Sequence, residues 1–347
     1  MTADTARVTG DALRRFSRDV FVAAGLSAEH AATIADVLVW ADLRGVDSHG
    51  VARLPMYVRL LDAGDLNPAP TITIRTDTPA AVVFDMDRAP GPVAMTAACA
   101  AAMRKAREAG IGCAIARGTT HTGAIGYYTS AAARDDMAAV ALTASIPMMA
   151  YHGARVLGAS TSPISIAVPG GGRGPLLLDM ATSVISAGGL AQARRAGRPL
   201  APGAALDEHG RPTTDPAAAV IPRPLGDYKG SGLSLMIECL TSLLVSNPIV
   251  ADALAHAPAD RRHKQNGLVL AIDVARFGNP SVFRAEVERL VSTVKALPQA
   301  PDAEEILVPG ERGDREFERR TRDGIPLSRA TSDDLARIAT RFKVPMP

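Results

Sequence analysis

Apolar residues recur at helical spacing at the start of the chain, where Leu13, Phe16, Val20 and Ala23 share one face ahead of Gly25. Ser27 then offers an N-cap, and Ile34, Leu38 and Ala41 continue the period to Gly45, so an antiparallel helical pair is predicted. Pro55 suits the first turn of a third helix over 56–63, which Asn67-Pro68-Ala69-Pro70 ends. Beyond that break the pattern changes. Residues 71–75 and 80–85 read as strands, 93–109 as an alanine-rich helix closed by Gly110, and 111–116 as a buried strand. The polar loop 117–123 leads into a helix reaching about Arg134, and strands are expected at 138–143, 164–168 and 176–179. A turn at 170–174 joins the last two. Residues 188–222, polar and proline-rich, read as an excursion. A long helix from Lys229 to about Ser246, a strand at 268–273 and an amphipathic helix at 282–295 follow. At the end, an apolar stretch runs into a turn at 306–313, and Thr331 or Ser332 caps a last helix through Phe342. Such alternation of strands, loops and helices means a mixed α/β layer, with ligands expected where loops leave strand ends.

Composition narrows the function. A chain of 347 residues, 47% hydrophobic and 21% charged, has the material for one large or two smaller domains with a sizeable core. With 38 Lys and Arg against 36 Asp and Glu, the net charge is only +2, so nucleic acid and anionic membranes are not expected partners. Three widely spaced cysteines, Cys99, Cys113 and Cys239, fit neither a disulfide framework nor a zinc knuckle. No metal site is expected. The first residues lack the order of a signal peptide and no apolar run reaches membrane-spanning length, so a reducing cytoplasm is the expected setting.

Four stretches carry possible chemistry. In Asp47-Ser48-His49-Gly50-Val51-Ala52-Arg53-Leu54-Pro55 a proton-transfer group and a bidentate anion holder stand four residues apart, which suits oxidation or reduction of a 2-oxy acid. Thr120-His121-Thr122-Gly123-Ala124 sets a second histidine before a helix start, where free N–H groups favour anions and small residues admit a cofactor; the same histidine would equally serve as a cap. Pro224-Leu225-Gly226-Asp227-Tyr228-Lys229-Gly230-Ser231-Gly232-Leu233 resembles a phosphate-holding helix start, yet matches neither the dinucleotide fingerprint nor a P-loop, and standing alone reads more readily as a glycine turn with an exposed lysine. Asp179, at a strand end, would bind a ribose hydroxyl, orient a histidine or cap local backbone. Gly170-Gly171-Gly172-Arg173-Gly174 precedes a strand, not a helix, and reads as a hairpin turn.

Seven segments, in collinear order, resemble the malate/L-lactate dehydrogenase family that lacks a Rossmann fold: DLRGVDSHGVARLPMY (42–57), THTGAIGYY (120–128), PISIAVP (163–169), LDMATS (178–183), GDYKGSGLSLMIE (226–238), LAIDVARF (270–277) and VPGER (308–312). Ureidoglycolate and sulfolactate dehydrogenases and cyclic imino acid reductases are similar. The resemblance implies an NAD- or NADP-dependent oxidoreductase acting at C2 of a small 2-hydroxy or 2-oxo acid, a homodimer, and a non-Rossmann mixed-sheet nucleotide-binding domain over 71–280. It further implies a helical domain built from both chain ends, 1–70 and 281–347. By match of segments, Ser48, His49 and His121 fall on catalytic positions, with Asp179 beside them, and Arg53 and Thr143 on substrate-facing ones. Thr122, Gly123, Ala124, Ser145, Met180, Ala181, Lys229, Pro309, Gly310 and Glu311, with His121 and Asp179 again, match cofactor contacts. The Thr143-Ala144-Ser145-Ile146-Pro147 stretch departs from the usual T-N-S-P-P, Ser162 stands for a frequent Asn, and Asp227 and Ser231 stand for a frequent Gly and Tyr, which leaves the substrate open. A cyclic imino acid reductase and a catalytically inactive dinucleotide-binding scaffold are the alternatives; the latter should have lost the titratable groups that this chain retains.

Overall fold

The computed structural model describes residues 7–255 and 264–347. Ten helices carry most of its packing: α1 (Gly10–Ala23), α2 (Ala28–Leu43), α3 (Leu54–Asp62), α4 (Gly91–Ala109), α5 (Gly126–Arg134), α6 (Ala187–Ala196), α7 (Tyr228–Thr241), α8 (Pro280–Lys295), α9 (Glu311–Asp323) and α10 (Arg329–Phe342). Seven strands form the main sheet: β1 (Thr73–Asp77), β2 (Ala81–Asp85), β3 (Ile111–Thr119), β4 (Met137–Ser145), β5 (Ile164–Val168), β6 (Leu176–Met180) and β7 (Gln265–Asp273). Their order is β1-β2-β3-β7-β4-β5-β6. Only β2 and β3, joined across α4, run parallel; every other pairing is antiparallel. The sheet is therefore mixed, and no doubly wound dinucleotide-binding fold is present.

Side chains alternate across the central strands. Ala114, Ala116, Ala139, Ala141, Val269 and Ala271 turn toward α4 and α5, where alanine on both partners lets helices approach closely. Ile115, Leu142 and Leu268 turn the other way and meet Ile237 of α7. Helices from both chain ends share a separate core: Leu13, Phe16 and Val20 of α1, Ile34 and Leu38 of α2, and Tyr57 of α3 pack with Leu335 and Ile338 of α10. Arg7–Val8 pairs antiparallel with Ile325–Pro326 and ties the ends together.

The predicted Ser27 cap forms, accepting from His30 N–H at 3.2 Å, and residues 170–174 do make the turn of the β5–β6 hairpin. Other expectations change. The last helix is capped by Ser328, whose Oγ accepts from Thr331 N–H, and not by Thr331 or Ser332. Residues 188–222 are no bare excursion: α6 and three two-residue strands at 205–206, 212–213 and 221–222 enclose their own small core of Leu190, Ala193, Leu200 and Ala219.

Candidate active site

Two single-turn 3-10 helices, Asp47–His49 and Val51–Arg53, carry the chain from α2 into α3. No side chain within them caps either turn, so they are held from outside. Buried Asp42 at the end of α2 accepts Val51 N–H at 2.8 Å. Arg320 of α9 donates to the Asp42 carbonyl at 2.7 Å and pairs with Asp47. A charged helix from the far end of the chain thus pins the segment that bears Ser48, His49 and Arg53.

Within that frame Ser48 Oγ lies 3.0 Å from His49 Nδ1, and Arg53 Nε donates to the Ser48 carbonyl at 2.6 Å. Among the described residues no carboxylate pairs with Arg53. Burial, and then the Arg53 charge, hold the His49 imidazole down, to about 4, so it is neutral near pH 7. His121 comes in just beyond the end of β3. Its ring stacks on His49 with centroids 5.7 Å apart and planes 19° from parallel. Gly123 N–H donates to His121 Nδ1 at 3.3 Å, while the Tyr57 hydroxyl lies 3.0 Å from that nitrogen and 2.9 Å from the His121 carbonyl. A backbone N–H only donates, so where this contact is made Nδ1 accepts, and a neutral ring then carries its proton on Nε2. Tyr57 is a functional neighbour that sequence reasoning did not single out, although it stands one helical turn beyond Arg53 on the same face.

A cleft of about 570 Å³ opens beside these groups. Ser48, His49, Gly123, Ala124, Asp179, Met180, Ala181, Pro309 and Gly310, predicted from four separate segments, all line it, together with Trp40 and Arg312. Helices α5 and α9 begin at it, each with N–H groups that the helix itself leaves unpaired, while of α6 only the N-cap Ser186 reaches the wall, its Oγ accepting Gly189 N–H at 3.0 Å. Helix α5 has no side-chain cap of its own; Asp179 Oδ2 of β6 accepts Gly126 N–H at 2.8 Å and supplies one from outside. A Cβ at Gly126 would stand 2.7 Å from that oxygen, so glycine is what lets strand and helix start meet. Asp179 sits on a concave wall, open to small molecules yet surrounded by protein, and this desolvation pushes its carboxyl up to about 6 against the pull of the Gly126 N–H and Arg44.

Other predicted residues stand outside the cleft wall. Thr122 is buried, its Oγ1 3.2 Å from Gln265 Oε1. Thr143 is buried inside β4 beside β7, and Ser145 pairs with Ser160 at 3.0 Å. Lys229 is exposed on the first turn of α7, near Leu225, which does belong to the wall. Glu311 faces a neighbouring pocket, its carboxylate committed to Lys295 at 2.7 Å and Arg315 at 2.6 Å, which hold it down to about 2.

The sequence model of the malate/L-lactate dehydrogenase family matches residues 8–336. Malate dehydrogenase of Pyrococcus horikoshii is 34% identical over 97% of this chain and 96% of its own, and its solved structure superposes with a TM-score of 0.89 over 99% and 97% of the two chains. L-sulfolactate dehydrogenase of Methanocaldococcus jannaschii is 35% identical over 93% and 94%, with a TM-score of 0.87 over 98% of each chain. A delta1-piperideine-2-carboxylate reductase from Pseudomonas syringae superposes with a TM-score of 0.84 at 29% identity, over 96% and 100%. With likeness extending over nearly the whole chain in both sequence and fold, this protein belongs to the malate/L-lactate dehydrogenase family.

Proposed function

We propose that this protein is an NAD(P)-dependent dehydrogenase that moves a hydride between the nicotinamide and C2 of a small 2-hydroxy or 2-oxo acid, with Arg53, His49 and His121 as its working groups. The observation that carries this reading is a half-buried guanidinium without a counter-ion among the described residues, beside two stacked histidines at the edge of a cleft of ligand size. The residues of that cleft fit a dinucleotide: two helix starts, those of α5 and α9, favour its phosphates, and the Asp179 carboxylate suits a ribose hydroxyl. When bound, the nicotinamide supplies or takes the hydride. Arg53 holds the substrate carboxylate in its planar fork. His49 takes or returns the hydroxyl proton, steadied by Ser48, and His121 donates from Nε2 to the same oxygen. Burial is the larger cause of the His49 shift, and carboxylate binding offsets the lesser one, the Arg53 charge, so substrate itself makes the base stronger.

A homodimer is part of the proposal. Leu235, Met236, Leu240, Leu243 and Leu244 are exposed along α7 and the turn after it, an apolar surface that a twofold partner would cover. Three free cysteines support a reducing, cytoplasmic setting. The test is turnover of the purified protein with NAD and NADP, in both redox states, against a panel of 2-hydroxy acids, 2-oxo acids and cyclic imines. Dinucleotide binding without turnover of any of them would leave a binding protein, and turnover of imines alone would move the substrate class.

A further inference from the structure

The unit that begins with α6 has its own apolar core, so the position of α6 is set largely by contacts inside residues 185–221. Its first turn nevertheless leans on the 3-10 segment. A Cβ at Gly188 would stand 2.2 Å from Arg53 Nη2 and 3.0 Å from both Cβ and carbonyl oxygen of Ser48. Gly188 is buried and its φ is not positive, so the backbone does not require glycine there. Glycine inside a helix is disfavoured relative to alanine. What excludes a methyl group is the neighbour, and that neighbour is the head of Arg53.

We propose that Gly188 is a positioning residue for Arg53: its bare Cα is the wall that, with the Ser48 carbonyl on Nε, sets the plane in which the guanidinium meets a substrate carboxylate. This rests on the reading of Arg53 as the carboxylate holder. Because the wall belongs to a separately cored unit, the seat of that unit on Ser48 and Arg53 decides where the fork points. A methyl at 188 displaces Nη2, the mobile end of the arginine, before it displaces backbone, so the loss falls on substrate recognition and not on the dinucleotide cleft.

The variants are Gly188→Ala and, as a control in the same turn, Gly189→Ala, whose Cβ would have the side chains of Ile185 and Ser186 as its nearest neighbours. Calorimetry with oxamate, in the presence of dinucleotide, reads the carboxylate pocket without needing turnover. Gly188→Ala should weaken oxamate and raise KM for the 2-oxo acid about tenfold or more, since small misplacements of a positioning group are costly. Dinucleotide affinity should stay within about twofold, and Gly189→Ala should match wild type. In an Arg53→Lys background, where no Nη2 exists to be struck, adding Gly188→Ala should cost less than about twofold more. If Gly188→Ala alone fails to fold, the double variant should recover the Tm of Arg53→Lys. An unchanged oxamate Kd, a loss that adds in full to that of Arg53→Lys, or a double variant that also fails to fold would overturn the proposal. Weakened oxamate binding in a protein whose wild type turns over no 2-oxo acid would sustain it and sink the activity reading alone.

Discussion

His49 offers a test that needs no substrate. Its imidazole titrates at about 6.5 in an unfolded chain and at about 4 in the folded protein. Between those values the unfolded state binds a proton that the folded state refuses, so stability falls as pH falls through that window. The full difference corresponds to about 3 kcal/mol, and a ring that borders an open cleft should deliver roughly 2–3 kcal/mol of it. Urea unfolding of wild type and His49→Gln from pH 7.5 to pH 4 isolates the effect, because the glutamine carries no proton and every carboxylate is common to both proteins. Asp179, raised to about 6, works in the opposite sense, since the folded protein binds its proton more readily and gains stability as pH falls from about 6 toward 4, and it too cancels in the comparison. Wild type should lose its advantage over His49→Gln as pH drops. Parallel curves would mean that His49 is not desolvated as its packing shows. In turnover, kcat/KM should report the depressed value of the free enzyme, and kcat a higher one, because bound carboxylate cancels the Arg53 charge.

Arg53→Lys keeps the charge but not the fork, and should cost roughly 2–4 kcal/mol in kcat/KM for a 2-oxo acid; equal fractional losses on the neutral amide would remove Arg53 from carboxylate recognition. Asp179→Asn should weaken dinucleotide binding at pH 8 by about 1–2 kcal/mol and abolish any change in that affinity around pH 6, measured by fluorescence titration. Leu240→Glu with Leu244→Glu, on the exposed face of α7 and of the turn after it, should convert a dimer to a monomer in sedimentation velocity; an unchanged sedimentation coefficient would place the interface elsewhere.

Local periodicity alone determined α1 to α5, the β5–β6 hairpin and the mixed α/β character of the layer, because those elements bury one regular face and end at residues with their own capping or turn chemistry. The segments around His49, His121, Asp179 and Pro309 were legible as family motifs. Helix α9 was not legible as a helix: Phe317 is its one large apolar residue, and its order comes from ion pairs such as Arg319 with Glu316 and from Arg320 reaching Asp47, 273 residues away. The strands at 205–222 were missed because two-residue pairings leave no period to read. Which chemical groups meet was decided only by tertiary structure. Sheet order places Asp179 under Gly126 across 53 residues, α3 brings the Tyr57 hydroxyl to His121 across 64, and the α6 unit sets Gly188 against Arg53. The linear sequence states each side chain's chemistry, but its pKa, tautomer and reach depend on what desolvates and restrains it, and those neighbours arrive from elements that only the packed fold brings together.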